Sequence, residues 1–383
     1  MIQLPLSKLS NVGTTIFSQM TQLANENQAI NLSQGFPDFP ADDELLQLVD
    51  HYIKKGFNQY APMGGMLPLK EEIAKKIETA HQTIYHPDTE ITVTAGGTQA
   101  IFTAIASLIK DSDEVIIFEP AYDCYEPTVE LFGGIVKRFK MTAPDYSIDW
   151  NEVKKLVSDK TKLIILNNPN NPAGKILTEN DILELVKIVT GTSIFILSDE
   201  VYENIVFDEK KHLSICRYPE LKNRSFLVAS FGKLFHVTGW KIGYCAAPKN
   251  LTDEFRKVHQ FNVFSVNTPI QLAFADYMKN DEHFLGLNSF FQQKRDLLRK
   301  GLSGTKFELL DCEGTYFQAV NYSRISDKKD IDFAHELTKN FKVATIPFSS
   351  FYKDKLNENV IRFCFAKKDE TLEKALENLS KIS

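Results

Sequence analysis

The chain has few cysteines and no pairing among them that would suggest a site. Cys124, Cys216, Cys245, Cys312 and Cys364 are odd in number, far apart and never in a C-x-x-C arrangement. This speaks against a disulfide framework or a zinc site and for a reducing compartment. The eight histidines show no ligand spacing either. No apolar run approaches a membrane span, and the amino terminus has no basic segment leading into an apolar core. Basic residues are not in excess: 44 stand against 50 acidic ones, a net charge of -6 that argues against a general nucleic-acid surface. Internal repeats and low-complexity segments are missing as well. The expectation is a cytoplasmic, soluble protein with neither nucleic acid nor membrane as partner.

What is present is an ordinary globular composition, 43% hydrophobic and 25% charged, over 383 residues, a length that suits two domains. Residues 1–40 read as irregular, a loop or arm ending in the Gly- and Pro-punctuated Asn31–Pro40. Helical spacing of apolar positions covers 42–55 and 68–82, with a loop at 58–66 between them. From residue 91 strands and helices alternate. Strands are expected at 91–94, 114–118, 135–139, 162–166, 194–197 and 226–229; helices at 98–109, 122–132, 150–158 and 178–189. Strands that are apolar throughout and alternate with helices indicate a mostly parallel sheet covered on both faces. Residues 275–300 read as one long connecting helix with Asp276, Lys279 and Asp281 exposed. After about residue 305, strands at 316–320 and 360–365 and helices at 330–340 and 369–381 make an α+β unit.

In sheets of this kind ligands collect at the carboxyl ends of the strands. Asn170–Asn171, Asp199 and Ser230–Lys233 each follow a strand directly, which brings them to that edge. Gly96–Gly97–Thr98 joins a strand to a helix, whose unpaired amides and dipole suit a phosphate. Asp199, at the mouth of a buried strand, needs a cationic partner, and a protonated heterocyclic nitrogen is one candidate. Lys233 and Lys241 sit among Ser, Thr, Gly and aromatic residues. Amines held in this way form Schiff bases with carbonyl compounds, pyridoxal phosphate included. Each feature has a plain alternative: a Gly-Gly turn, a helix-capping aspartate, a surface lysine.

Their order along the chain weighs against those alternatives. A glycine turn, Tyr122 after a strand, Asn171, Asp199-x-x-Tyr202 and Ser230-x-x-Lys233 together resemble the fold-type I pyridoxal-phosphate enzymes, specifically class I/II aminotransferases. Within them, Asn31–Pro40, Ser265–Leu272 and Ile361–Asp369 are similar to bacterial methionine aminotransferases and kynurenine/glutamine transaminases. The resemblance covers essentially the whole chain. It implies an arm and part of a small domain at 1–40, a large cofactor-binding domain at 41–275 with a mostly parallel sheet, and a connecting helix with a smaller α+β domain at 276–383.

The resemblance also implies roles. Lys233 would carry pyridoxal 5'-phosphate and shuttle a proton, with Asp199 holding the ring nitrogen and Asn171 and Tyr202 the phenolic oxygen. Tyr122 would stack on the ring. Gly97, Thr98, Ser230 and Lys241 would hold the phosphate, and Tyr60 would reach the partner subunit's phosphate in a homodimer. Arg362 would clamp the substrate carboxylate. Gly35, Asn171, Phe17 and Phe264 are the other expected substrate contacts, and with Phe36 and Tyr60 the aromatics suggest an apolar side-chain pocket. Lys241 and Ala173 stand where many aminotransferases carry Arg and Thr, and Leu234 where Thr is common. The implied activity is ping-pong transfer of the amino group of a large neutral L-amino acid to a 2-oxo acid. A cysteine-conjugate β-lyase and a non-catalytic cofactor-binding regulator remain open alternatives.

Overall fold

The computed structural model describes residues 6–10 and 12–382. Its centre is a seven-stranded sheet of β1 (Ile91–Thr94), β2 (Glu114–Glu119), β3 (Ile135–Lys140), β4 (Thr161–Asn167), β5 (Phe195–Asp199), β6 (Ser225–Ser230) and β7 (Gly243–Ala246), ordered β1-β7-β6-β5-β4-β2-β3. All neighbours are parallel except β7, which runs antiparallel to both β1 and β6. The apolar runs are two-faced. Ile116, Ile164, Leu166, Ile196 and Leu227 join one core cluster, while their neighbours Val115, Ile117, Leu163, Ile165, Leu197 and Val228 join another. With a side-chain period of two, each strand must be apolar at every position to satisfy both faces.

Helices supply the cover. Gly97–Leu108 packs Ala100, Ile101, Ala104 and Ile105 onto one face, and Glu179–Val189 turns Ile182, Leu185 and Val189 to the other. Each fully buried Leu or Ile contributes about 1.5–3 kcal/mol of transfer free energy. Glu179–Val189 begins with a complete capping box between Thr178 and Asp181, so its start is set locally as well as by packing.

A four-stranded antiparallel sheet forms from β8 (Glu308–Leu309), β9 (Phe317–Asn321), β10 (Ile346–Pro347) and β11 (Val360–Cys364), ordered β10-β11-β9-β8. The amino-terminal segment belongs with this part of the chain. Ile30–Asn31 pairs in parallel with Val343–Ala344, and Cys364 N donates to Leu32 O at 2.8 Å.

Three local expectations change. Residues 1–40 are not irregular throughout: Ile16–Glu26 is an α-helix whose N-cap, Thr15, accepts from Ser18 N. Its apolar positions Ile16, Met20, Leu23 and Ala24 follow helical spacing, but the Gly- and Pro-rich end of the segment dominates a reading by composition. The single connecting helix is three helices, Thr268–Tyr277, Glu282–Leu285 and Leu287–Leu302. Of its supposedly exposed charges only Lys279 is exposed; Asp276 and Asp281 are half-buried, and Asp276 accepts from Tyr52 Oη. The third change concerns the helix expected at 122–132, which spans only Tyr125–Leu131 and leaves Tyr122 in the loop above the sheet edge.

Candidate active site

β4, β5 and β6 end side by side. Asn167 is the register partner of Asp199, and Asp199 that of Val228, two residues before Ser230. The strand ends floor a cavity of about 300 Å³. Its lining includes Phe17, Gly35, Gly97, Thr98, Tyr122, Asn171, Asp199, Tyr202, Ser230, Lys233, Lys241 and Arg362, all singled out from the sequence. Phe36, Tyr60 and Phe264 do not line it. Tyr60 and Phe264 pack edge-to-face on each other at 5.5 Å, with 83% and 49% of their surfaces exposed.

Asp199 is buried at the cavity floor. Its Oδ2 accepts from Tyr125 Oη at 2.6 Å and its Oδ1 from Val201 N at 3.3 Å. Burial raises its carboxyl to about 6, against the opposing pull of the Tyr125 hydrogen bond, the Val201 amide and the Lys233 charge. A cation or a protonated partner facing it would favour its ionised form further. Lys233, in the short helix Phe231–Leu234, donates to Gly35 O at 3.0 Å. It lines the cavity, and burial lowers its ammonium to about 8, so a minor neutral fraction is present near physiological pH.

The far wall is Arg362 on β11, completely buried. Its Nη1 donates to Asn171 Oδ1 at 2.6 Å and its Nη2 to Ser33 O at 3.0 Å, while Nε has no protein partner. The guanidinium lies 3.8 Å from the Phe317 ring centroid and 5.1 and 5.6 Å from those of Phe351 and Phe17. Burial pulls its pKa down to about 10, so it remains charged. A buried cation with neutral partners and a spare donor is a receptor for a carboxylate.

At the third side, the helix Gly97–Leu108 has no side-chain cap at Gly96, so its first amides stay open. Gly96 adopts φ +81°, and a Cβ there would stand 3.3 Å from Lys241 Nζ. The lysine thus lies close against the helix start. Open amides, a dipole end and a lysine suit a phosphate.

These features fit pyridoxal phosphate: a buried carboxylate short of a cation, a lysine whose ammonium is lowered by burial, an uncapped helix start beside a second lysine, and an arginine with a spare donor. Several contributors were not legible beforehand. Asn167 ties Asp199 O (2.9 to 3.0 Å contacts are typical) to the next loop, its Nδ2 donating to that carbonyl at 3.0 Å while its Oδ1 accepts from Asn171 N at 2.7 Å. Gln34 holds the first helix through Phe17 O and Thr21 Oγ1 at 2.9 and 2.6 Å. Tyr125 follows Tyr122 by three residues, the only sequence signal it offered.

A separate buried group brings together two histidines whose sequence spacing gave no hint of it. Ligand atoms of His81, Glu200 and His212 lie within 4.8 Å of one another. Both carboxylates there are already engaged. His212 Nε2 is 2.7 Å from Glu200, and His81 Nε2 is 3.0 Å from Glu203, which also accepts from Lys76 at 2.6 Å. Although burial opposes ionisation of Glu203, Lys76 and His81 hold its carboxyl well below the usual range. The cluster reads as an ion-paired support for the loop after Asp199.

The sheet, with a lysine, an aspartate and a buried arginine converging at its carboxyl edge, defines a fold-type I transferase. The family model for class I and II aminotransferases matches residues 27–379, and the chain belongs to that family; it is an aminotransferase, acting between an amino acid and a 2-oxo acid. It is 47% identical over 380 residues to methionine aminotransferase of Escherichia coli, covering 99% of this chain and 98% of that one. It is 33% identical to kynurenine–oxoglutarate transaminase of Dictyostelium discoideum, over 99% and 96% of the two chains. The solved structure of N-succinyldiaminopimelate aminotransferase from Mycobacterium tuberculosis matches with a TM-score of 0.95 at 31% identity, over 99% of this chain and 100% of that one.

Tyr125→Phe removes one donor from Asp199 and leaves the ring. The Asp199 carboxyl is then expected to rise above about 6, because the hydrogen bond favours the ionised form. The ionised fraction at neutral pH falls. Carboxyl ¹³C NMR of the cofactor-free protein follows this directly; an unmoved midpoint would remove Tyr125 from the site.

Proposed function

We propose that the protein is a pyridoxal-phosphate-dependent aminotransferase for large neutral L-amino acids. The observation that carries this is the convergence of Lys233, Asp199 and Arg362 on one cavity. The cofactor supplies an electron sink for the negative charge that develops at the substrate's Cα. Lys233 Nζ would hold the cofactor and, as a neutral amine, would take the proton from the substrate's Cα. Asp199 would favour a protonated ring nitrogen, and Asn171 and Tyr202 would stabilise the phenolic oxygen as the anion. Tyr122 would pack on the ring, and Gly97, Thr98, Ser230 and Lys241 would hold the phosphate. Arg362 binds the substrate carboxylate, with Gly35 and Phe17 closing over it.

Among the described residues of this chain, Arg362 is the single arginine in the cavity lining, and the two lysines there are assigned to the cofactor, which leaves no cation of this chain for a second substrate carboxylate. That supports a neutral side chain, as do relatives named for methionine and kynurenine. The exposed Tyr60, Phe261 (87% exposed) and Phe264 support a homodimer in which Tyr60 reaches the partner's phosphate site. The reading places the large cofactor-binding unit at 41–275 and the smaller one at 276–383, with 1–40 contributing to the latter. No helix among the described residues is long and apolar enough to cross a membrane. Nothing in the cavity favours elimination over transfer, and a site that keeps Lys233, Asp199 and Arg362 gives no support to a non-catalytic regulator.

The test is the half-reaction. Protein reconstituted with the cofactor is mixed with single amino acids while the cofactor absorbance is followed. Methionine, phenylalanine, kynurenine and glutamine are expected to convert it at least about 10²-fold more efficiently than aspartate, whose second carboxylate has no partner. Equal efficiency with aspartate would overturn the substrate class, and no bound chromophore would overturn the cofactor assignment.

A further inference from the structure

We propose that Tyr316 is a positioning residue for the Lys233 amine, acting through the Gly35 carbonyl to which both side chains donate. The inference rests on the reading of Lys233 as the proton-moving amine. Tyr316 is completely buried. Its hydroxyl donates to Gly35 O at 2.6 Å, and Lys233 Nζ donates to the same oxygen at 3.0 Å. A carbonyl oxygen has two lone pairs, so the two donors need not compete. The hydroxyl instead holds the acceptor still.

The ring of Tyr316 contributes as well. Lys233 Nζ lies 5.4 Å from its centroid and 5.7 Å from that of Tyr202, within cation–π range. The two rings meet edge-to-face at 5.1 Å, which fixes both faces relative to the amine. Burial and the like charges of Arg362 and Lys241 oppose protonation of Lys233, while Cys364 and Asp199 favour it. The Gly35 carbonyl and the two ring faces add neutral attraction on the side of the charged form.

This matters because of where Gly35 lies. It belongs to the Gly- and Pro-rich stretch between the Ile30–Asn31 bridge and the helix Asp43–Lys54, which has no regular ladder to hold it. Tyr316 and Phe317, at the start of β9, form its socket. A Cβ on Gly35 would stand 2.7 Å from Phe317 Cζ, so the residue is seated directly against that ring. An amine that leaves a covalent bond and returns to it each turnover needs a fixed station to wait at, since small misplacements are costly in rate. The Gly35 carbonyl, pinned by Tyr316, is that station.

Tyr316→Phe removes one oxygen atom and keeps the ring. In cofactor-free protein, the pH dependence of Lys233 acetylation is read by peptide mass spectrometry against an exposed lysine. The Lys233 midpoint is expected to fall by about half a pH unit, because its acceptor is no longer held. In the loaded enzyme, kcat is expected to fall about tenfold, while amino-acid KM and cofactor affinity stay within about twofold. Gly35→Ala displaces the same carbonyl through Phe317 and should move the midpoint in the same direction. An unchanged Lys233 midpoint in both variants overturns the proposal, whether kcat is retained or is lost along with thermal stability and cofactor affinity, since the latter is the mark of a purely structural residue. Borohydride reduction of the loaded wild-type enzyme separates the underlying reading: a modified lysine other than Lys233 refutes that reading whatever the variants do.

Discussion

Lys233→Ala is expected to leave the fold intact and to lower transamination by about 10³-fold or more. Among the described residues the side chain makes one hydrogen bond, to Gly35 O, and no ion pair. Burial already works against its charge, with the ammonium lowered to about 8. Removing it therefore gives up little folding energy and relieves a desolvated cation. What would be lost, on the proposed role, is the covalent anchor and the amine that takes a proton from Cα. Thermal unfolding and single-turnover absorbance separate the two effects. A variant that melts like the parent and still transfers amino groups at an appreciable rate would refute the role of Lys233. Added small amines should restore part of the rate if the missing function is proton transfer.

Arg362→Lys should lower kcat/KM for amino acids by about 10²- to 10³-fold, the effect expected when one partner of a buried charged pair is replaced. Lysine keeps the charge but gives up the planar fork. Its single nitrogen cannot span Asn171 Oδ1 and Ser33 O, as Nη1 and Nη2 of Arg362 do, and still present a fork to a substrate carboxylate. It also forfeits the stacking on Phe317 at 3.8 Å. Some loss of stability should accompany this, because Asn171 and Ser33 keep buried acceptors with weaker donors. The control is a substrate analogue without the carboxylate. Wild-type enzyme should lose most of its advantage on that analogue, while Arg362→Lys should hardly distinguish the two compounds. A near-normal saturation curve for the natural amino acid would contradict the carboxylate clamp.

The fold and the centre of the site were legible for related reasons. Strands buried on both faces must be apolar at successive positions, so the runs at Leu163–Leu166 and Phe226–Ala229 announce themselves without an alignment. Polar residues directly after such runs have nowhere to go but the sheet edge, which is why Asn171, Asp199, Ser230 and Lys233 could be grouped from order alone. The helix Ile16–Glu26 was hidden by the Gly and Pro residues that follow it. The split at 275–302 was hidden because Glu282–Leu285 and Leu287–Leu302 keep enough apolar spacing to read as one helix.

Tyr125 and Tyr316 were legible only as aromatics, and with 28 Phe and 13 Tyr in the chain an aromatic is uninformative by itself. Their significance lies in partners 74 and 281 residues away, Asp199 and the Gly35 carbonyl. The same holds for Arg362 and Asn171, 191 residues apart.

By itself, then, the sequence determined the sheet class and the edge at which chemistry gathers, both from local periodicity. The choice of Lys233, Asp199 and Arg362 at that edge came from the resemblance of their motifs, in their order, to class I/II aminotransferases. Only the tertiary structure decided how those groups are tuned. Docking of the carboxyl-terminal sheet and the amino-terminal segment onto the strand ends brings Tyr316, Phe317 and Gly35 up to Lys233, and register within the sheet sets Asn167 beside Asp199. Desolvation then moves the aspartate up to about 6, against its hydrogen bonds, and the lysine down to about 8, shifts that depend on what surrounds a residue in space and leave no trace in its neighbours along the chain.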